Sequence, residues 1–285
     1  MYYTQLMLTK KCNQKCYYCT THSSGNTEVD IDYLKHILDE FPTHIKLAVE
    51  LTGGEIGLIE NIDEVYKTVR EHPRIVHIKA LSNGLLRHIG VDWIKDIEYW
   101  EHLIYDIKGK EIIKFYQDLD FQGDHTYVVV TTENTTRSLI VNWKYFDDLG
   151  MFKEKFFYKL MNHKSDTTIN GYFDDLCNLY RKLDNVYFQR MLIHYYSMYK
   201  FDKNIYKDKK LLCQKYPPNI YIDLETKQLG HCAMNIRMSN KVHWSKENLV
   251  KMMNGELSEN EYCQKCYSFD NGKNRSALNN RSYEQ

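Results

Sequence analysis

Between Tyr2 and about residue 190 the chain runs through six strand-then-helix units joined by short connections, and this rhythm constrains its fold more than any other feature. Parallel strands need a crossover element between them, so such a run calls for a parallel sheet clad in helices. Tyr2 to Leu8 is a β-rich run. Asp30 to Glu40 has helical spacing, with Ile31, Leu34, Ile37 and Leu38 on one face. The spacing then predicts strand 44–51, helix 62–70, strand 74–81, helix 91–99, strand 102–107, helix 111–118, strand 126–131, helix 138–149, strand 155–161 and helix 172–183. An open sheet and a barrel both fit this periodicity.

Past residue 195 the alternation stops. Lysines at 200, 203, 207, 209, 210 and 215 face only Asp202 and Asp208, so Lys200 to Lys215 is a local basic stretch. A run of this kind is usually solvated surface, and it could also guide an acidic peptide or a nucleic acid. After Pro217-Pro218 the pattern predicts a hairpin, 220–224 and 228–232 around Glu225-Thr226-Lys227, then a helix over 246–253 and a polar tail from Asp270 to Gln285. The 38 basic and 38 acidic side chains leave no formal charge, which speaks against a general nucleic-acid coat. No apolar run approaches membrane-spanning length, and Met1 to Gln5 lacks the basic start of an export signal. A cytoplasmic location is expected, where thiols stay reduced.

In a reducing compartment, clustered cysteines are metal ligands more often than disulfides. Cys12, Cys16 and Cys19 place three thiols within eight residues directly after the first strand. Such a loop can wrap one compact object, each thiolate ligating a separate iron of an iron–sulfur cluster. Structural zinc, which prefers paired hooks and four ligands, fits this crowded triplet poorly. Three protein ligands leave one metal position open for reaction.

The C-x3-C-x2-C triplet at the end of the first strand resembles the radical SAM superfamily, and the likeness extends over about residues 1 to 190. Gly53-Gly54-Glu55 resembles the element that receives the amino group of S-adenosylmethionine. Ser82-Asn83-Gly84 resembles the segment near its ribose and carboxylate. Tyr18 occupies the hydrophobic position beside the adenine, and Val129-Val130-Thr131-Thr132 resembles the fifth-strand region that lines the cofactor. In parallel barrels function collects at the C-terminal strand ends, where all these elements fall. Paired glycines admit close backbone approach, and Glu55 offers a carboxylate to an ammonium. The resemblance implies a partial (β/α)6 TIM-like barrel. It also implies bound S-adenosylmethionine on a 4Fe–4S cluster held by Cys12, Cys16 and Cys19, and a flavodoxin, ferredoxin or reductase as electron donor. Its chemistry is reductive cleavage to methionine and a 5′-deoxyadenosyl radical, which takes hydrogen from the substrate.

Cys213, Cys232, Cys263 and Cys266 resemble the Twitch and SPASM extensions, which hold a second, auxiliary 4Fe–4S cluster. Two departures stand out. The pattern has a glycine five positions before the second cysteine, where this chain has Lys227, and no cysteine follows Cys266. One auxiliary cluster can therefore be filled, not two, although four cysteines ending in C-x2-C also suit zinc. The implied organisation is a radical SAM core over 1–195, a Twitch- or SPASM-like domain over 196–270 and a tail over 271–285. His231 could replace a thiol there, Cys177 reads as a buried structural thiol, and Glu50, Asp106 and Lys108 at or near strand ends could line a substrate cavity. Enzymes with these extensions most often modify peptides. With cysteines starting at residue 12 there is no room for an N-terminal leader-recognition domain, so recognition would come from another protein or from Lys200 to Lys215. The alternatives are a radical dehydrogenase, isomerase or other modifier of a small molecule or nucleotide, and a non-enzymatic metal-binding protein.

Overall fold

The structure is a computed structural model that describes residues 1–15, 25–103, 123–131, 141–148, 155–160, 220–230 and 242–254. Nine strands form one sheet: β1 (Tyr2–Met7), β2 (Leu47–Thr52), β3 (Ile75–Ser82), β4 (Glu98–Leu103), β5 (Asp124–Thr131), β6 (Lys155–Leu160), β7 (Ile220–Asp223), β8 (Gln228–Gly230) and β9 (Val242–His243). The order is β6-β5-β4-β3-β2-β1-β7-β8-β9. The first six strands are mutually parallel and lie in chain order, as a (β/α)6 TIM-like sheet requires. The sheet stays open. β1 pairs with β2 on one edge and with β7, also parallel, on the other, so neither edge is left for β6.

Five helices are described: α1 (Ile31–Glu40), α2 (Ile62–Glu71), α3 (Leu85–His88), α4 (Trp143–Asp148) and α5 (Lys246–Met253). α1 begins where Asp30 accepts a 2.9 Å bond from the Tyr33 amide, a cap worth about 1 kcal/mol. Its Leu34, Ile37 and Leu38 are buried in one apolar cluster with Val65 and Val69 of α2 and Leu6, Val49 and Ile78 of the sheet. Each fully buried aliphatic side chain contributes roughly 1.5–3 kcal/mol. Past the end of α1, the buried Arg74 guanidinium donates to the carbonyls of Leu38 and Phe41, giving two backbone acceptors a partner.

Side chains alternate across each strand, so the two sheet faces have different chemistry. Leu6, Leu47, Val49, Leu51, Ile78, Ala80 and Tyr99 belong to the helix-covered core. On the other face Tyr3, Gln5 and Lys79 converge on Glu50: Gln5 donates to it at 2.7 Å, Tyr3 hydrogen-bonds it, and Lys79 Nζ lies 3.2 Å away. Lys79 also sits over the Trp100 ring, whose indole N–H donates to Glu98, and Glu98 meets His77 at 2.9 Å. Burial works against ionisation of Glu98, yet the His77 bond and the Lys79 charge outweigh it and hold the carboxyl below its usual range.

Most expected elements stand within a few residues of their expected ends, and α5 spans 246–253 as expected. One expectation is corrected. Residues 91–99 do not form a helix: Asp92–Asp96 is a single 3-10 turn burying Trp93 and Ile94, and β4 begins at Glu98, four residues ahead of the expected strand. Two charged residues of β4 are paired, Glu98 with His77 and Glu101 with Arg87. The described part of the expected 138–149 helix is regular over Trp143–Asp148. The expected helices 111–118 and 172–183 lie outside the described residues, with Cys177, Asp106, Lys108, His231 and Lys200 to Lys215. Among the described residues no helix is long and apolar enough to cross a membrane.

Candidate active site at the strand ends

Three loops meet at the C-terminal ends of β1, β2 and β3. The first leaves β1 through the buried Thr9, whose hydroxyl donates to the Asn26 carbonyl at 2.7 Å and accepts the Lys11 amide at 3.0 Å. It then carries Cys12, whose sulfur accepts the Gln14 amide at 3.4 Å. The second loop, Gly53-Gly54, lies directly against this segment. The Gly54 amide donates to the Thr9 carbonyl at 2.7 Å and the Glu55 amide to the Lys11 carbonyl at 2.8 Å. A Cβ on Gly53 would collide with the Thr9 carbonyl, and one on Gly54 with the Lys11 carbonyl. The paired glycines are thus what lets two loops pass backbone to backbone.

Glu55 turns inward. It is fully buried, and its carboxylate accepts the Gly57 amide and the Ser82 hydroxyl, each at 2.8 Å, and the Asn83 amide at 2.6 Å. Burial pushes the carboxyl up to about 7 even though all three donors favour the ionised form. Ser82 in turn accepts the Gly84 amide at 3.0 Å and the Leu86 amide at 3.3 Å, and Gly84 takes φ 101°, a left-handed turn that suits glycine. From this third loop the Asn83 side-chain amide reaches the Cys12 sulfur at 3.9 Å and the Asn13 side-chain oxygen at 2.7 Å.

Of the residues singled out from the sequence, Cys12, Gly53, Gly54, Glu55, Ser82 and Asn83 are brought together. Thr131 ends β5 on the same rim of the sheet, paired with Leu160. Tyr18, Cys16, Cys19, Cys213, Cys232, Cys263 and Cys266 lie outside the described residues. Among the described residues no three metal-ligating side chains gather. The chemistry of the donors nonetheless suits a cluster. A backbone amide and the Asn83 amide point at the Cys12 sulfur, and the two further cysteines follow four and seven residues later. The sequence did not single out Thr9, Asn13 or Glu225 at this site. Asn13 sits inside the cysteine triplet and could have been noticed there.

The fold is that of solved S-adenosylmethionine-binding proteins. The structure of native anSMEcpe with bound AdoMet superposes with a TM-score of 0.54, covering 93% of this chain and 86% of that one at 14% identity. Streptococcus suis SuiB bound to precursor peptide SuiA superposes with a TM-score of 0.54, covering 93% of this chain and 69% of that one at 12% identity. In sequence, the GTP 3′,8-cyclase of Klebsiella pneumoniae is 30% identical over 105 residues, 35% of this chain and 30% of the relative. Over that third of the chain the likeness is to GTP 3′,8-cyclases, and the solved structures, at 12–14% identity, share the fold alone. The GTP 3′,8-cyclase of Vibrio cholerae serotype O1 gives a similar match, 30% identity over 100 residues. The chain thus spans about 30% of the length of these curated relatives. No family model matches it.

Proposed function

We propose that this protein is a radical SAM enzyme that cleaves S-adenosylmethionine reductively and acts on a peptide. The observation that carries the reading is the meeting of Cys12, Gly53-Gly54 and Asn83 at one rim. A 4Fe–4S cluster on Cys12, Cys16 and Cys19 supplies, when bound, the electron that cleaves S-adenosylmethionine to methionine and a 5′-deoxyadenosyl radical. The chain's own residues do the positioning. Asn83 joins the cysteine loop to β3, Glu55 joins β2 to β3, and the glycine pair sets the spacing between the loops. Tyr18 and Thr131 are assigned to the adenosyl side. Cys213, Cys232, Cys263 and Cys266 are assigned to an auxiliary cluster, and a flavodoxin, ferredoxin or reductase to electron delivery.

The peptide reading is supported by fold likeness across nine tenths of the chain to anSMEcpe with bound Cp18Cys peptide and to SuiB bound to its precursor peptide. A second reading, a nucleotide substrate, is favoured by the sequence likeness to GTP 3′,8-cyclases over roughly a third of the chain. Anaerobic reconstitution tests the metal content: about eight irons are expected with both clusters filled, about four with the first alone, and none if zinc fills both sites. Dithionite and S-adenosylmethionine should then yield 5′-deoxyadenosine, and Cys16→Ala should abolish it. Incubation with a short peptide encoded beside the gene should change that peptide's mass. Turnover of GTP with no change in the peptide would favour the nucleotide instead.

A further inference from the structure

The hairpin of β7 and β8 lies far along the chain from the cysteine loop, yet its turn holds that loop at both ends. Glu225 Oε1 accepts the Asn26 amide at 2.5 Å and stands 3.3 Å from the Thr9 hydroxyl, whose one proton it shares with the nearer Asn26 carbonyl. Thr9 stands just before the cysteine triplet and Asn26 just after it. Next to this contact the Lys10 ammonium lies 2.9 Å from the carboxylate of Asp223, which is completely buried. The Leu224 amide donates to the Met7 carbonyl at 3.1 Å, so backbone and side chains of the turn grip the same stretch. Gly25 makes room for the contact. A Cβ there would stand 2.7 Å from Glu225 Oε1 and 2.8 Å from the Lys10 amide.

We infer that Glu225 is a positioning residue for the cysteine loop: its carboxylate pins the entry and the exit of that loop together, with Asp223 and Lys10 as a second tie, and so sets the geometry in which the three thiols meet a cluster. The physical case is one of loop closure. Fifteen residues separate Lys10 from Asn26 in the chain. Fixing both ends of a loop this length in advance removes most of the entropy its closure around a ligand would otherwise cost. The bond from the Asn26 N–H to the carboxylate oxygen is charge-assisted, a class of bond shorter and stronger than neutral ones. Because the turn belongs to the segment expected to carry the second set of cysteines, the grip also ties that segment mechanically to the first site. In the radical SAM reading on which this inference rests, Glu225 touches neither cluster nor S-adenosylmethionine and acts through the loop.

The test uses the full-length protein, reconstituted anaerobically, with Glu225→Ala, Glu225→Gln and Glu225→Asp. Iron retention against a chelator and the electron paramagnetic resonance spectrum of the reduced cluster are recorded with and without S-adenosylmethionine. Wild type is measured first: if it holds no cluster, the reading of the site fails and this inference with it. Given a loaded wild type, Glu225→Ala should lose iron to the chelator roughly tenfold more readily, the scale on which partners behind metal ligands act. Glu225→Gln keeps an acceptor oxygen and should recover most of the retention. An alanine variant that matches wild type in retention and in both spectra overturns the inference and leaves the reading of the site intact. Should Glu225→Ala fail to fold, Glu225→Asp decides. Its carboxylate falls one methylene short, so the spectral change on adding S-adenosylmethionine should differ from wild type, and an identical change overturns the inference.

Discussion

The Ser82 hydroxyl donates to the Glu55 carboxylate at 2.8 Å, joining the ends of β2 and β3 through a carboxyl that has no exposure to solvent. The energetic sign of this contact depends on pH. Burial raises the folded-state carboxyl from 4.5 to about 7, so between those values the folded state binds more protons than the unfolded one. Stability contributed by Glu55 is therefore present in full below about pH 4.5 and is lost as pH rises toward 7. Glu55→Gln has no such proton to lose. Urea titrations at pH 5 and pH 8 should show the variant gaining on wild type by up to about 3 kcal/mol over that interval. Parallel pH profiles for the two proteins would mean that the carboxyl is ionised throughout.

A second buried carboxylate obeys the opposite sign. Glu101 faces the Arg87 guanidinium at 2.9 Å, with His125 Nε2 at 3.4 Å. Burial opposes its charge, but the His125 and Arg87 contacts prevail and hold the carboxyl below its usual range. Its contribution is present above the unfolded value and lost as pH falls through the lower folded one. Arg87→Met leaves the charge buried without its main partner, and chemical denaturation at neutral pH should register a loss of about 3–5 kcal/mol. In that variant Glu101 should titrate upward, so acidification from pH 7 to 5 should restore part of the stability, whereas wild type should gain nothing from Glu101 over that range.

Lys227 closes the β7–β8 turn with φ 53°, in the left-handed region where a side chain is strained. It is the position at which the resemblance to Twitch and SPASM extensions calls for glycine, and the backbone supplies the reason. Lysine keeps some compensation, since its Nζ lies 4.4 Å from the centre of the Tyr33 ring. Lys227→Gly should be neutral or more stable by up to about 1 kcal/mol, while Lys227→Val should cost about 1–2 kcal/mol. Thermal melts of the two variants should rank glycine above valine, and the reverse order would contradict the turn geometry.

The parts of this fold that were legible in the sequence are those with local signatures. Six parallel strands followed from alternation, α5 from its spacing, and the gathering of Cys12, Gly53-Gly54-Glu55 and Ser82-Asn83 from short motifs at strand ends. β4 was placed four residues late, with a helix over 91–99 in its place, and the pairing of Glu98 with His77 that belongs to the strand has no local pattern. Glu225 was invisible for the same reason: its partners Asn26 and Thr9 stand 199 and 216 positions away. The inward turn of the Glu55 side chain could not be read either, since a Gly-Gly-Glu sequence does not say which way its carboxylate faces.

Gly54 offers the most direct check on how the site is assembled. Its amide donates to the Thr9 carbonyl, and an added Cβ would strike the Lys11 carbonyl, a backbone atom with no rotamer by which to move aside. Alanine here must push the Thr9–Lys11 segment away from β2, and that segment leads directly into Cys12. The fold should survive, because the core beneath consists of Leu6, Leu51 and Ile56, which the substitution does not touch. Gly54→Ala should therefore keep the circular dichroism of wild type and melt within a few degrees of it, consistent with a cost of about 1–2 kcal/mol. Its iron content after reconstitution should fall well below that of wild type, and any 5′-deoxyadenosine formation should fall with it. Wild-type iron content in a folded Gly54→Ala protein would show that the close passage of these two loops has no part in holding the cluster.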